Sequence, residues 1–273
     1  MTETPQVLGL IAGNRSLPIQ LARQAKKMGV PRIVAVAFHG ETDSQIDHAA
    51  DEVIWLKVGQ LTKMIRAFQE RDIKQCVMAG QIAPKNLWEV RPDLRALTIL
   101  MRIKEKNAHT LFGALADELH REGIDLIEAT PWLRPLMPGA GFHIGRPATP
   151  EETDDVAFGY RIAKEITRLE IGQSVVVKRG MVLAVEAFEG TDRCLARGGE
   201  LAGSDGGAVA VKVARQNHDM RFDIPCVGAR TVATCAEHRI AVLAFEAGKT
   251  LLLEEDEVKS VAERHAMAVT VVG

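Results

Sequence analysis

The 273-residue chain has few aromatic residues and no excess of positive charge. Phe, Trp and Tyr make up 4% of the sequence, and 34 Lys and Arg against 36 Asp and Glu give a formal net charge of -2. Non-specific nucleic-acid binding needs a concentrated basic surface that displaces counterions, and single strands are usually bound by stacking on aromatic side chains. We therefore expect no nucleic-acid partner.

Long apolar runs and paired cysteines are also lacking. No stretch approaches the roughly 20 apolar residues that span a bilayer, and the start, MTETPQVLGLIAG, lacks the basic and apolar segments of a signal peptide. The four cysteines have no CxxC spacing, which disfavours disulfides and a zinc site: Cys76, Cys194, Cys226 and Cys235. We expect a cytoplasmic protein. Because no amphipathic membrane helix is evident, contact with the inner membrane should be peripheral and weak.

The first half of the chain alternates strands and helices. Apolar runs predict strands at residues 7–12, 32–38, 52–56, 75–79 and 124–128, and helical spacing predicts helices at residues 17–28, 61–70, 94–104 and 109–122. This alternation is typical of a Rossmann-like α/β domain with a parallel, doubly wound sheet. Such sheets bind ligands beyond the carboxyl ends of their strands.

Two turns of this domain pair a glycine with an amide. Gly13 and Asn14 follow the first strand, and Gly80 and Gln81 follow the fourth, so all four are candidate substrate-binding residues. Amides donate and accept hydrogen bonds at once, which suits the imide edge of uracil or the oxygens of a diphosphate. The first loop, GNRSLP, has one glycine where the dinucleotide fingerprint has three, so the sequence only weakly indicates an NAD site.

A joint rich in proline and glycine separates the two halves. Eight such residues crowd a stretch without periodicity: Pro131, Pro135, Pro138, Gly139, Gly141, Gly145, Pro147 and Pro150. We therefore predict a nucleotide-binding domain at residues 1–130, a joint at 131–150 and a catalytic domain of mixed α/β structure at 151–273. In the last domain, capping signals predict a helix from Pro150 to about residue 169, and apolar runs predict strands at 240–246, 250–253 and 268–272 and a helix at 257–265.

The centre of the second half predicts a hairpin that leads into a helix. Runs at residues 174–178 and 181–187 are joined by an Arg-Gly pair, and the second ends in Glu189, Gly190, Thr191 and Asp192. Thr191 or Asp192 can cap the following helix and Gly198 can end it, so this turn lies at a helix N-terminus, which favours a phosphate. Taken alone, such a turn is more typical of plain capping.

A lysine and an aspartate follow. In the strand at residues 208–214, alternation places Lys212 on the face opposite Val211. Asp223 precedes Ile224 and Pro225, and it is presented on a stiff segment because the proline holds Ile224 extended. Neither residue indicates a site by itself.

Larger blocks resemble a known family. The motifs GQSVVVKRGMVLAVEAFEGTD, VKVA and RFDIPCVG resemble the C-terminal domain of LpxI-type UDP-2,3-diacylglucosamine pyrophosphatases, and LGLIAGNRSLPIQLA, VMAGQI, RPDLRAL and ADELHREGI resemble its N-terminal domain, so residues 8–273 are covered. The resemblance implies hydrolysis of the pyrophosphate of UDP-2,3-diacylglucosamine, a lipid-linked UDP-sugar. The products would be UMP and 2,3-diacylglucosamine 1-phosphate, on the path to lipid A. A divalent metal, Mg²⁺, is also implied.

The same resemblance suggests roles. Asp223 matches the family's catalytic aspartate, and since an ordinary Asp with a pKa of ~3.9 is a weak base, we expect it to bind the metal or orient water. Glu189 and Asp192 are candidate metal co-ligands. Phosphate would contact Lys212 and the turn of Gly190 and Thr191, and Gln173 would contact sugar or phosphate. The acyl chains would lie in a cleft between the domains.

The sequence differs from the family pattern at two places, and two other classes of function stay open. Arg15 stands where many relatives have a small residue, and Asn107, Ala108 and His109 stand where similar members carry an acidic pair. The other classes are an NAD(P)-linked oxidoreductase built on the first domain and a non-catalytic nucleotide-sugar sensor. The sequence also leaves open whether the protein is a homodimer.

Overall fold

The computed structural model describes residues 4–82, 92–103, 108–215, 221 and 224–273, except for the side chains of Ala108 and His109. The chain forms two compact units whose main division falls between Leu133 and Arg134. The first therefore ends inside the predicted joint.

The first unit is built on a parallel sheet. Its described strands are β1 (Val7–Ala12), β2 (Arg32–Phe38), β3 (Glu52–Leu56), β4 (Gln75–Ala79) and β5 (Asp125–Leu126), in the order β3-β2-β1-β4-β5. All the pairings are parallel. Apart from Arg32 and Gln75 at their first positions, strands β1, β2 and β4 are apolar because helices cover both faces of the sheet. The order reverses between β1 and β4, and the predicted Rossmann-like fold is confirmed.

Helices connect these strands. They are α1 (Leu17–Lys27), α2 (Leu61–Gln69), α3 (Leu94–Arg102), α4 (Ala108–Arg121) and α5 (Thr130–Leu133), with a 3₁₀ turn at Ser44–His48. Asp93 caps α3, since its carboxylate accepts hydrogen bonds from the backbone N–H groups of Ala96 and Thr62. The outer face of α3 exposes apolar side chains at helical spacing: Leu94, Leu97 and Met101.

The second unit contains a mixed sheet. Its described strands are β6 (His143–Gly145), β7 (Ser174–Lys178), β8 (Met181–Val185), β9 (Ala208–Lys212), β11 (Ile240–Glu246) and β13 (Ala268–Val272), in the order β6-β13-β11-β9-β7-β8. Strands β9, β11 and β13 run parallel, while β6, β7 and β8 join by antiparallel pairings. The predicted mixed α/β class and the β7–β8 hairpin are confirmed. A separate parallel pair joins β10 (Cys226–Val227) to β12 (Leu251–Leu252).

Helices cover both faces of this sheet. Helix α6 (Pro150–Arg168) contributes Val156, Ala163 and Ile166 to one core. Helices α7 (Thr191–Leu201), α8 (Ala229–Glu237) and α9 (Glu255–Arg264) contribute to the core on the other face. Thr149 and Glu152 form a capping box at the start of α6, and the predicted helix start at Pro150 is confirmed.

Helix α7 corrects two details of the sequence analysis. Gly190, with a φ of 83°, occupies the N-cap position, and no side chain caps the helix there, so neither Thr191 nor Asp192 is the cap. Gly198 does not end the helix, which continues to Leu201. A Cβ at Gly198 would lie 2.5 Å from the Cβ of Val176, so this glycine allows close packing of α7 on β7.

All four cysteines are reduced, and they differ in exposure. Cys76, Cys194 and Cys235 are buried, and Cys226 is partly exposed. Burial raises the pKa of the Cys194 thiol to about 12, and it also raises the pKa values of Cys76 and Cys235. Among the helices described, none is both long and apolar enough to cross a bilayer.

Candidate active site

The loops after β1 and β4 touch at the point where the strand order reverses. The N–H of Gly13 donates to the carbonyl of Ala79 at 2.8 Å, and the N–H of Asn14 donates to the carbonyl of Gln81 at 2.8 Å. A Cβ at Gly13 would lie 2.7 Å from the carbonyl carbon of Gly80, and one at Gly80 would lie 2.5 Å from the carbonyl oxygen of Asn14. Both positions therefore require glycine.

Asn14 is anchored from a third strand. Its Nδ2 donates to Oε2 of Glu41, after β2, at 3.1 Å, while its Oδ1 is buried and has no partner among the described residues. The sequence analysis gave this amide both donor and acceptor roles toward a ligand; in the structure Glu41 uses one donor, and the acceptor has no partner among the described residues. The side chain of Gln81 is exposed.

In the second unit, three polar side chains lie on one face of the sheet, at the end where β8 and β9 finish and β7 begins. Ser174 of β7 pairs with Lys212 at the end of β9, and the N–H of Glu186, just after β8, donates to the carbonyl of Ser174 at 2.9 Å. Alternation places all three on the face that carries α7. Each is buried, including Lys212, whose Nζ donates to the carbonyl of Cys226 at 2.9 Å.

The start of α7 lies against this row. The Thr191 hydroxyl donates to Oε1 of Glu186 at 2.9 Å and lies 3.5 Å from Oγ of Ser174. The other carboxylate oxygen of Glu186 is buried with no partner among the described residues. Lys212, Thr191 and the N-terminus of α7 thus converge at one edge of the sheet, and Gln173 immediately precedes β7. An ammonium group and free backbone N–H groups are what a phosphate requires.

The two candidate co-ligands of the metal are paired with arginines. Glu189 accepts from Arg197 at 2.6 Å, and this hydrogen bond lowers the pKa of the Glu189 carboxyl below its usual value. Asp192 lies 2.9 Å from a guanidinium nitrogen of Arg230, at the start of α8. The arginines neutralise both carboxylates at the position where the sequence predicted a cation.

The fit of these residues to Mg²⁺ is incomplete. Their hard oxygen ligands suit that ion, but no group of three metal-binding side chains occurs in the described part of the chain. The third predicted ligand, Asp223, lies outside the described residues. The described donors alone do not form a magnesium site, so the metal set stays a prediction.

The chain that follows Asp223 is held firmly. The carbonyl of Pro225 accepts from the N–H of Leu251 at 2.8 Å, and Cys226 pairs with Leu251 in the β10–β12 ladder. Because Lys212 also bonds Cys226, its side chain is tied to the strand that begins three residues after Asp223.

A buried carboxylate lies elsewhere at the carboxyl edge of the same sheet. Glu246, at the end of β11, accepts from Lys164 at 3.1 Å, from Lys249 at 2.8 Å and from the N–H of Ala214 at 2.9 Å. Burial alone would raise the pKa of Glu246, but these hydrogen bonds outweigh it, and the pKa is lowered. The network fixes the backbone just beyond β9.

Comparison with known proteins agrees with this organisation. Residues 7–136 match the model of the LpxI N-terminal domain, and residues 139–270 match that of the LpxI C-terminal domain. A curated relative, UDP-2,3-diacylglucosamine pyrophosphatase LpxI from Caulobacter vibrioides, is 30% identical over 269 residues, which cover 94% of each chain. The chain belongs to the LpxI family.

Arg15, singled out in the first loop by the sequence analysis, has an unusual backbone conformation. Arg15 adopts a φ of 66°, a left-handed conformation that small residues reach at less cost. This long side chain therefore stands in the first loop of an LpxI protein at a position where the backbone favours glycine. The departure at Asn107, Ala108 and His109 lies outside the described side chains.

Sequence reasoning missed several polar residues of this LpxI chain. They are Glu41, Lys164, Arg230 and Glu246. A signal existed for Glu41, since an acidic residue after the second strand is a feature of nucleotide-binding doubly wound sheets. Glu246 and Lys164 are 82 residues apart, so their contact becomes visible only in the folded chain.

Proposed function

We propose that this protein hydrolyses the pyrophosphate of UDP-2,3-diacylglucosamine to UMP and 2,3-diacylglucosamine 1-phosphate, a step of lipid A biosynthesis. The observation that carries the proposal is the match to a pyrophosphatase of that name over 94% of both chains. The geometry adds support, since each unit offers groups suited to part of such a substrate. Family membership does not favour an oxidoreductase or a non-catalytic sensor.

The second unit supplies the groups that a diphosphate needs. Lys212 and the N-terminus of α7 would stabilise negative charge on the phosphate oxygens, with Thr191 at the first position of that helix. Gln173 would contact the sugar or a phosphate. In this proposal Asp223 orients the attacking water, because an ordinary aspartate is too weak a base to deprotonate it at neutral pH.

We also propose that activity requires a divalent metal, most simply Mg²⁺. A bound cation would add Lewis-acid stabilisation of the phosphoryl oxygens. Glu189 and Asp192 would have to exchange Arg197 and Arg230 for the ion. Removal of metal with EDTA, followed by addition of MgCl₂, tests this requirement through the rate of UMP release.

The test of the function is UMP release from UDP-2,3-diacylglucosamine by the wild type and by Asp223→Asn. We expect the variant to lose at least about 100-fold in rate while it still binds substrate. Asp205→Asn is the matched control, because Asp205 is an exposed surface residue paired with Lys178. Equal rates for wild type and Asp223→Asn would remove Asp223 from the mechanism. Substrate binding without UMP release would favour a non-catalytic nucleotide-sugar sensor. Binding of NADH would favour an NAD(P)-linked oxidoreductase.

We further propose a cytoplasmic enzyme with weak peripheral contact with the inner membrane. The outer face of α3 supports lipid contact, since Leu94 is 84% exposed and Met101 is 79% exposed. Co-sedimentation with anionic vesicles tests this contact, and absence of binding at any lipid concentration would refute it. Light scattering would decide between a monomer and a homodimer.

A further inference from the structure

The turn after β2 places a carboxylate beside the point where the strand order reverses. The N–H groups of Glu41 and Thr42 both donate to the carbonyl of Phe38 at 3.0 Å. The Thr42 hydroxyl accepts from the N–H of Phe38 at 2.9 Å and donates to the carbonyl of Ala12, the last residue of β1. Glu41 is therefore held on a turn that is cross-linked to the first strand.

Glu41 also fixes the side chain of the first loop. Its Oε2 accepts from Nδ2 of Asn14 at 3.1 Å, which orients the amide so that Oδ1 is the acceptor left without a partner among the described residues. Oδ1 is buried although Asn14 as a whole is only partly so. A buried acceptor without a partner is costly, and such groups often lie where a ligand supplies the missing donor.

The topology indicates which ligand chemistry fits this position. In doubly wound sheets the nucleotide lies beyond the carboxyl ends of the strands at the reversal point, and an acidic side chain near the second strand accepts hydrogen bonds from ribose hydroxyls. An ionised carboxylate has only acceptor sites, so it matches a pair of vicinal hydroxyls and not a phosphate. Glu41 lies beyond β2, next to β1, which is the corresponding place in this sheet.

We propose that Glu41 and Asn14 form a ribose-binding subsite for a nucleotide. The Glu41 carboxylate accepts hydrogen bonds from the ribose hydroxyls and holds the Asn14 amide, whose Oδ1 accepts from the same nucleotide. The subsite belongs to the first unit alone. Only the identity of the base, uracil, rests on the proposed function.

Calorimetric titration with UMP and with 2′-deoxy-UMP tests the subsite. For the wild type we expect UMP to bind about 10-fold more tightly than the deoxy compound, because one hydrogen bond to a charged acceptor is lost. Glu41→Gln should weaken UMP binding about 10-fold more than it weakens 2′-deoxy-UMP binding, because the deoxy compound has only its 3′-hydroxyl to lose, so that the preference disappears. Glu41→Ala should do the same, and circular dichroism will report whether each variant is folded.

Glu70→Gln is the matched control, since Glu70 lies on the surface at the end of α2 and pairs with Arg66. It should keep the wild-type preference for ribose. The proposal is overturned if folded Glu41→Gln retains that preference, or if the wild type binds neither UMP nor NAD⁺ at millimolar concentration. Binding of NAD⁺ that depends on Glu41, without binding of UMP, would support the ribose subsite and refute uracil as the base.

A parallel assay of UMP release separates this inference from the proposed function. If the protein hydrolyses the substrate and its ribose preference does not depend on Glu41, the ribose subsite is refuted and the proposed pyrophosphatase function is supported. If ribose binding depends on Glu41 but no hydrolysis occurs, the ribose subsite is supported and the proposed pyrophosphatase function is refuted.

Discussion

Replacement of Glu246 by Gln should destabilise the second unit. The carboxylate is almost fully buried, with a side chain 3% exposed, and it accepts hydrogen bonds from Lys164, Lys249 and the N–H of Ala214. The amide of Gln has nearly the same shape but no charge. The substitution therefore tests the electrostatic contribution and leaves packing unchanged.

The magnitude follows from the exposure of the two lysines. Lys249 is 59% exposed, so its ion pair contributes at most about 1 kcal/mol. Lys164 is only 20% exposed, and breaking a buried ion pair costs about 3–5 kcal/mol. Because its ammonium group reaches some water, the penalty is smaller than for a fully buried pair. We expect a loss of about 2–3 kcal/mol in the free energy of unfolding.

Urea unfolding, followed by far-ultraviolet circular dichroism, measures this loss. The folded-state pKa of Glu246 lies below its ordinary value of 4.5. The stabilising contribution is thus fully present above pH 4.5 and is lost as the pH falls through the folded-state pKa. The difference between wild type and variant should shrink accordingly in acid.

Glu263→Gln provides the control. Its partner is Lys259, at 4.0 Å, and both side chains are more than half exposed. This change should cost no more than about 0.5 kcal/mol. If Glu246→Gln also cost no more than about 0.5 kcal/mol at pH 7, or if its loss of stability were the same in acid, the charge of Glu246 would not be what stabilises the second unit.

Three further substitutions follow from the geometry. Gly80→Ala should weaken UMP binding at least about 10-fold, measured by calorimetry, because its Cβ would lie 2.5 Å from the carbonyl oxygen of Asn14; unchanged affinity would separate this loop from the nucleotide. Gly198→Ala should lower the free energy of unfolding by about 1–3 kcal/mol through overpacking against Val176, and a neutral result in urea unfolding would contradict that contact. Lys212→Met should reduce the rate of UMP release about 100-fold or more while the protein stays folded, and a rate within about threefold of wild type would exclude Lys212 from phosphate stabilisation.

The sheet of the first unit was predictable because its four longest strands carry apolar runs. The bounds predicted for β1, β2, β3 and β4 agree with the structure, since each strand contains an apolar run that ends at polar or turn residues. From those bounds alone the sequence placed Gly13 and Gly80 at the carboxyl edge, where they are in contact. Strand topology therefore located half of the candidate site.

Other features depend on tertiary contacts that no local pattern reveals. Helix α8, with the sequence ARTVATCAE, consists largely of small residues, and β6 and β10 are only three and two residues long. Gly198 resembles a helix terminator, but it lies in the helix interior because Val176 packs directly against it. The salt bridge of Asp192 could not be predicted because its partner, Arg230, comes from a different helix.

The unequal exposure of the four cysteines offers a direct way to attach a spectroscopic reporter. A maleimide dye reacts with an accessible thiolate, so buried thiols of raised pKa will react slowly at neutral pH, whereas Cys226 remains within reach. One dye per chain would then be attached beside the Lys212 hydrogen bond without any cysteine being removed. Changes in its emission on addition of substrate would follow binding in real time, in a protein that otherwise carries all three of its tryptophans before residue 134.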